Sequence, residues 1–218
     1  MTDNVLGLLL AGGEGRRFGR PKALVEFAGS PLVEKAAGTL SAGGCHPTVV
    51  VLGASAEEVA ETCSLQEAVV IVNENWREGM STSLKAGLAE ARRRDAPAVL
   101  VMQVDQPVVT PDLVTRLIES WRDGAKAAVA AYRGRGRTPV VLDRSLWAAV
   151  EAGAVGDVGA RGYLRSHPRL VTLVDCDDVG DVSDIDSPED LARLEDAHRR
   201  FTERLGTPVG DSETTGDD

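Results

Sequence analysis

Two cations and two widely separated carboxylates carry the chemistry legible in this chain. Arg17 and Lys22 follow Gly12-Gly13-Glu14-Gly15, a run almost free of side chains. Backbone N–H groups of such a run can approach a ligand closely, and the two cations supply the charge that a polyphosphate needs. Asp105 stands directly after the apolar run ending Val101-Met102-Gln103-Val104 and before Gln106-Pro107. A carboxylate at a strand end commonly holds Mg²⁺ against substrate phosphates; an Asp that starts a turn before Pro107 is the other reading. Asp186 belongs to an acidic cluster with Asp175, Asp177, Asp178, Asp181 and Asp184. Most of that cluster reads as a solvated loop, but Ser187-Pro188 begins a helix right after Asp186 and fixes its place. Two carboxylates converging on one crevice could clamp one or two Mg²⁺ ions.

Two further segments have polar groups in suggestive order. Asn73-Glu74-Asn75-Trp76-Arg77-Glu78-Gly79-Met80-Ser81-Thr82-Ser83 is a polar loop entering a helix. Hydroxyls and N–H groups at a helix start suit an anionic ligand, although capping by Ser81, Thr82 or Ser83 would leave the same trace; Trp76 reads as a packing residue. Gly156-Asp157-Val158-Gly159-Ala160-Arg161 sets one acid among glycines and ends in an arginine at a helix start; a loop with a capping acid is its plainest reading.

The elements that must position these groups alternate. Strands are expected at Leu6–Leu10, Thr48–Leu52, Ala68–Val72, Ala98–Val104, Ala127–Ala131, Val140–Leu142 and Leu170–Val174. Helices are expected at Leu32–Ser41, Ala56–Thr62, Met80–Arg93, Pro111–Trp121, Arg144–Ala152, Ala160–Ser166 and Pro188–Leu205, with start signals at Ser30-Pro31, Thr110-Pro111 and Ser187-Pro188. Val-rich strands alternating with helices imply an α/β fold: one three-layer α/β/α domain with a mostly parallel, mixed central sheet. The domain is expected over residues 3–205, followed by an acidic, disordered tail over 206–218. In such sheets ligands sit beyond the carboxyl ends of the strands, where the glycine loop and Asp105 fall.

The glycine loop fits neither common nucleotide fingerprint. A P-loop ends in Gly-Lys-Ser/Thr, whereas Gly19 is followed by Arg20-Pro21-Lys22 and no hydroxyl. Gly13, Gly15 and Gly19 miss the dinucleotide spacing by one, and Pro21 opposes an early helix. A tight surface connection with solvated arginines remains open on the loop alone.

Composition removes several classes. The 218 residues carry a net charge of −10, which disfavours nucleic acid and anionic membrane surfaces as partners. The three cysteines, Cys45, Cys63 and Cys176, have no paired spacing, so free thiols and a cytoplasmic location are expected. No run approaches the ~18 apolar residues of a membrane span.

Taken together, Leu10-Ala11-Gly12-Gly13-Glu14-Gly15-Arg16-Arg17-Phe18-Gly19-Arg20-Pro21-Lys22, the Gly79-Met80-Ser81-Thr82-Ser83-Leu84 core, Asp105-Gln106-Pro107, Gly156–Arg161 and Asp184-Ile185-Asp186-Ser187-Pro188 resemble the molybdenum cofactor nucleotidyltransferases of the nucleotide-diphospho-sugar transferase fold, most of all their cytidylyltransferase branch. The resemblance covers nearly all of the chain except the tail. It implies that Lys22 and Arg17 bind the triphosphate and neutralise charge, and that Leu10, Ala11, Gly12, Gly13, Gly15, Asn73, Ser81 and Ser83 lie against the nucleotide. It also implies that Asp105 and Asp186 hold Mg²⁺, with Asp105 catalytic, and that Asp157 and Arg161 face the acceptor. The implied partners are CTP or GTP, a phosphorylated pterin, and a molybdoenzyme or its chaperone as receiver. The chain departs from the branch twice: Leu-Ala-Gly-Gly replaces the usual Leu-Ala-Ala-Gly, as in the guanylyltransferase branch, and Arg137-Thr138-Pro139 stands where Gly-His-Pro is frequent.

The implied reaction is attack of the acceptor phosphate on the α-phosphorus, with pyrophosphate leaving in line. A phosphate monoester, with its second pKa at about 6, is already anionic and needs no general base. Two other readings stand beside it: a guanylyltransferase or related enzyme with another phosphorylated acceptor, and an accessory protein that binds nucleotide or cofactor without chemistry. The joint presence of Lys22, Asp105 and Asp186 argues against the accessory protein. On this reading Lys22 serves the crevice and contributes little to the core.

Overall fold

The computed structural model describes residues 4–180 and 183–206. Asp181 and the expected tail beyond Gly206 lie outside the described residues. The strands are β1 (Leu6–Ala11), β2 (Glu26–Phe27), β3 (Ser30–Pro31), β4 (Thr48–Leu52), β5 (Ala68–Val72), β6 (Ala98–Gln103), β7 (Ala127–Tyr132), β8 (Arg135–Asp143) and β9 (Val171–Asp175). The helices are α1 (Leu32–Ala42), α2 (Ala56–Thr62), α3 (Met80–Arg93), α4 (Pro111–Arg122), α5 (Trp147–Gly153), α6 (Ala160–Ser166) and α7 (Pro188–Gly206).

Seven strands form one sheet in the order β5-β4-β1-β6-β8-β7-β9, in which only β8 runs antiparallel to its neighbours. β1 is buried at all six positions, Leu6 to Ala11, because both faces are covered. Alternate residues face opposite layers. Leu9 packs with Leu32, Leu40, Leu113 and Leu117 under α1 and α4, whereas Leu8 packs with Leu84, Leu88, Trp147 and Val150 under α3 and α5. The expected mixed three-layer α/β/α arrangement is therefore the one found.

Three local expectations are corrected. Ser30-Pro31 does not cap α1; it forms β3, paired antiparallel with β2, and no side chain caps the helix. β8 begins at Arg135, five residues before the expected Val140, because its first half is an exposed hairpin arm without an apolar run. Capping of α3 by Ser81, Thr82 or Ser83 also fails, since all three lie inside the helix. By contrast, Thr110 Oγ1 accepts from Leu113 N at 3.2 Å, and Ser187 Oγ accepts from Asp190 N at 3.2 Å, so the other two caps form as expected.

Candidate active site

The parallel strands β1 and β6 end side by side, with Leu10 in register with Gln103. That register brings the glycine loop, which leaves β1, next to Asp105, which follows β6. The loop folds back at Gly15, whose φ of +66° and 1.9 Å gap between an ideal Cβ and Arg20 O leave no place for a side chain. Phe18 N and Gly19 N both donate to Gly15 O, at 2.8 and 3.0 Å. The chain then passes Pro21 into a single 3₁₀ turn, Lys22–Leu24, which aims Lys22 back across the strand ends.

Lys22 Nζ donates to Asp105 Oδ2 and to Asp186 Oδ1, each at 2.8 Å. The two carboxylate oxygens therefore lie no further apart than twice 2.8 Å. Lys22 and Asp105 are largely buried, with side chains 17% and 15% exposed, so the attraction is little screened. Burial alone would lower the Lys22 pKa; Asp105 and then Asp186 outweigh it and hold the ammonium above its usual value. Asp186 is more open, and Arg17 Nη1 reaches its other oxygen at 3.8 Å. Ile185 N donates to Asp105 O at 2.8 Å and ties the Asp186 segment to the end of β6.

A cavity of about 440 Å³ opens beside this pair. Of the residues expected at the nucleotide, Leu10, Gly12, Gly13, Gly15, Lys22 and Ser83 line it, together with Asp105 and Asp157. Ala11 is buried within β1, and Arg17, 80% exposed, lies outside the cavity. Asn73 and Ser81 are buried behind the wall. Asn73 Nδ2 donates to Thr82 Oγ1 at 2.8 Å and to Ser83 Oγ at 3.0 Å, which orients the serine that does line it. Arg161 is exposed on α6, Asp186 meets Lys22, and neither lines the cavity.

Asp157 has a second task. Its Oδ1 accepts from Met80 N at 3.2 Å and caps α3 from 77 residues away, while Ser81 N donates to Gly156 O at 2.8 Å. Gly79, at φ +106°, lets Gly156 press against the helix start. The segment Gly156–Arg161 is thus docked on α3, and the loop cap expected there is a cap for another element.

Residues not anticipated as ligand contacts also line the cavity: Trp76, Arg77, Met80 and Gln103. The Arg77 guanidinium lies 4.3 Å from the centre of the Trp76 ring, which packs against Gly53 as well as lining the cavity. Asp184 joins the carboxylates as well. Burial first, then nearby Asp105, push its carboxyl up to about 6, and Arg137 Nη1 lies 3.6 Å from its Oδ2. Its spacing of two from Asp186 was the available signal. Among the described residues, no group of three or more His, Cys, Asp or Glu side chains is gathered closely enough to hold a metal unaided. No helix among them is long and apolar enough to cross a membrane.

The chain is similar to known proteins over most of its length. A family model described as "MobA-like NTP transferase domain" matches residues 7–171. A protein of Paenarthrobacter nicotinovorans named nicotine blue oxidoreductase is 42% identical over 198 residues, covering 87% of this chain and 96% of that protein. The molybdenum cofactor guanylyltransferase of Cereibacter sphaeroides is 34% identical over 207 residues, covering 90% of this chain and 98% of that one. Among solved structures, Rv0371c of Mycobacterium tuberculosis in complex with manganese superposes with a TM-score of 0.74 at 25% identity, over 89% of this chain and 99% of the other.

Proposed function

The chain belongs to the MobA-like NTP transferase family, and from that premise we propose that it moves a nucleoside monophosphate, CMP by preference, from the triphosphate onto the phosphate of molybdopterin, releasing pyrophosphate. The observation that carries this reading is the Lys22 ammonium, held at 2.8 Å from both Asp105 and Asp186 at the mouth of the glycine-lined cavity. A lysine fixed there reaches phosphates entering the cavity, and its charge is preorganised where negative charge develops as pyrophosphate departs.

A divalent ion fits the carboxylates. Asp105 Oδ1 is buried and has no hydrogen-bond partner among the described residues, so one oxygen of the pair is left for a ligand. Hard carboxylate oxygens completed by substrate phosphates are the usual setting of Mg²⁺. Asp105 and Asp186 would hold it, and the ion would supply charge neutralisation at the reacting phosphates. The manganese in the Rv0371c structure supports a divalent metal at a site of this fold.

The protein's own groups supply the rest. Gly12 and Gly13 line the cavity and their N–H groups can donate to the nucleotide, Lys22 steadies the triphosphate, and Asn73 fixes the Ser83 hydroxyl at the cavity. The acceptor's phosphate oxygen forms the new bond to the α-phosphorus as the bond to the β-phosphate oxygen breaks, and no protein base is required.

CTP is favoured because Gly79–Leu84 and Gly156–Arg161 resemble the cytidylyltransferase branch and are docked on each other in the fold. GTP is the second reading, favoured by Leu-Ala-Gly-Gly and by the guanylyltransferase relative. The name of the Paenarthrobacter relative adds a third, pigment oxidoreduction. Pyrophosphate release with molybdopterin, Mg²⁺ and each of the four triphosphates separates them. CTP should turn over fastest; GTP ahead by about tenfold, a difference of ~1.4 kcal/mol, would reassign the base. No pyrophosphate with any triphosphate, combined with turnover of nicotine blue, would replace the proposal by the redox reading.

A further inference from the structure

The β7–β8 hairpin carries Arg133, Arg135 and Arg137 within five residues of a chain whose net charge is −10. Its two turn residues, Arg133 and Gly134, have φ of 51° and 71°, the type I′ pattern that lets a two-residue loop join twisted strands. Because β7 runs parallel to β6, through β8, the hairpin tip rises at the same end of the sheet as the glycine loop and Asp105. Arg137 pairs with Ala130 and Arg135 with Tyr132, both of which face the α1/α4 layer, so the two arginines share that face.

The hairpin is tied to the catalytic strand ends at two points. Gln106 Nε2, in the residue after Asp105, donates to Thr138 O at 2.9 Å. Arg137 Nη1 lies 3.6 Å from Asp184 Oδ2, two residues before Asp186. The cavity beside the glycine loop includes neither Arg137 nor Asp184, and in the strand order β1-β6-β8 Asp105, which follows β6, lies between the glycine loop and the hairpin. Arg137 therefore faces the centre from the flank opposite the nucleotide cavity.

Its ion pair leaves the guanidinium available. At 3.6 Å the contact to Asp184 is too long for a hydrogen bond, and the Arg137 side chain is 53% exposed. Arg116, by comparison, is engaged by Asp178 at 2.6 and 3.0 Å. Arg135 has no ion-pair partner among the described residues. A planar fork with free donors, fixed on a strand beside the reacting centre, matches a phosphate or a second anionic group.

We infer that Arg137, assisted by Arg135, rather than Asp157 and Arg161 as the resemblance implies, binds the anionic phosphate of the acceptor and selects a phosphomonoester on the flank opposite the nucleotide, a role that rests on the transfer reaction proposed above. Asp184 restrains the guanidinium in the free protein and yields to the incoming phosphate. Arg137 then determines which acceptor enters, and the nucleotide cavity works independently of it.

The test compares Arg137→Ala, Arg137→Lys, Arg135→Ala and Asp184→Asn with the parent protein. Arg137→Ala should raise KM for molybdopterin by about tenfold or more while KM for the triphosphate stays within about twofold, and Arg137→Lys should recover part of the loss. Arg135→Ala should raise the same constant less, by about threefold. Asp184→Asn separates binding from a structural ion pair: it should leave KM for molybdopterin unchanged or lower, whereas a merely structural pair would make it behave like Arg137→Ala. Equal increases in both KM values, or matching defects in Arg137→Ala and Asp184→Asn, would overturn the assignment. Inorganic phosphate titrated calorimetrically into protein saturated with CTP and Mg²⁺, without acceptor, keeps the two proposals apart. A parent protein inactive on molybdopterin that still binds phosphate through Arg137 would sink the acceptor's identity and uphold the subsite. Phosphate affinity equal in the parent and Arg137→Ala would sink the subsite.

Discussion

The Lys22 ammonium and the Asp186 carboxylate, 164 residues apart in sequence, stand 2.8 Å apart in space. The contact joins the end of the glycine loop to the segment before the last helix, with Asp105 as the third member. One cation thus prevents two acidic groups from repelling each other across the strand ends. Its removal has consequences for stability as well as for turnover.

Lys22→Ala is expected to slow pyrophosphate release by roughly a hundredfold or more, the scale of one lost transition-state charge contact. It leaves the largely buried Asp105 without its cation, at a cost of about 1–3 kcal/mol. Thermal melts with and without Mg²⁺ check this: the loss should be largest in EDTA and shrink when the metal is added. Lys22→Arg should rescue poorly, because a planar fork does not fill the place of a compact ammonium. Turnover close to the parent's in Lys22→Ala would bring the accessory-protein reading forward.

Asp105→Asn preserves shape and removes charge. The Mg²⁺ concentration for half-maximal activity should rise about tenfold or more, as expected when a charge-assisted contact of ~1.5–3 kcal/mol is lost. Asp186→Asn should act in the same direction but less, since Asp186 is the more exposed of the two. Unchanged Mg²⁺ dependence in Asp105→Asn would separate it from the metal.

Gly12→Ala tests the base. A Cβ on Gly12 would lie 3.2 Å from Ser83 Oγ and 3.3 Å from Gly53 N, so the added methyl displaces the serine rather than filling open space. The ratio of CTP to GTP turnover should change by an amount worth roughly 1–3 kcal/mol. Ser83→Ala, combined with Gly12→Ala, should restore part of the original ratio. A ratio that stays constant across the three variants would place base selection elsewhere.

Gly79→Ala should destabilise the protein by about 1–3 kcal/mol through backbone strain. The residue sits at φ +106°, and a Cβ there would be 2.5 Å from the Gly156 carbonyl carbon. The docked Gly156–Arg161 segment would be pushed off the start of α3, and KM for the triphosphate should rise with it. Melting temperature and KM report the two effects. A melting temperature equal to the parent's would show that this docking is not held by Gly79.

Asp184 gives a pH signature in metal-free protein. Burial and then Asp105 raise its carboxyl from 3.8 to about 6, so the folded chain binds this proton more tightly than the unfolded one. The resulting cost is absent below the unfolded value, grows as pH rises through that interval and is complete above the folded value. Asp184→Asn should therefore melt above the parent at pH 7 and converge with it near pH 4. A melting difference independent of pH would contradict the shift.

The sheet and helices were legible because Val- and Leu-rich runs alternate with periodic helices, and five of the fourteen expected elements match to the residue: Thr48–Leu52, Ala68–Val72, Ala56–Thr62, Met80–Arg93 and Ala160–Ser166. The first half of β8 was not, because Arg135-Gly136-Arg137 has no apolar alternation and is held as a strand only by β7. At the site, Lys22, Asp105 and Asp186 were legible from their places after strands or before a helix. Their mutual distance was not, since no local pattern encodes which loop Lys22 is aimed at. Trp76 packs against Gly53 and also lines the cavity, and an aromatic residue in a loop looks the same in sequence whether it fills a core or a wall. The burial of Asp105 beside Lys22, which the sequence does not display, is what gives Lys22→Ala its expected cost in stability.

The family match ends at residue 171, before Asp184 and Asp186, yet Asp186 holds Lys22 and Ile185 clasps the backbone of Asp105. On a ribosome making the chain from its N-terminus, the glycine loop, the cavity wall and all seven strands of the main sheet have been made before this clasp exists. A nascent chain stopped at that point carries the nucleotide cavity without the carboxylate that completes it. The order of synthesis thus delays the finished centre until the fold that surrounds it is nearly whole.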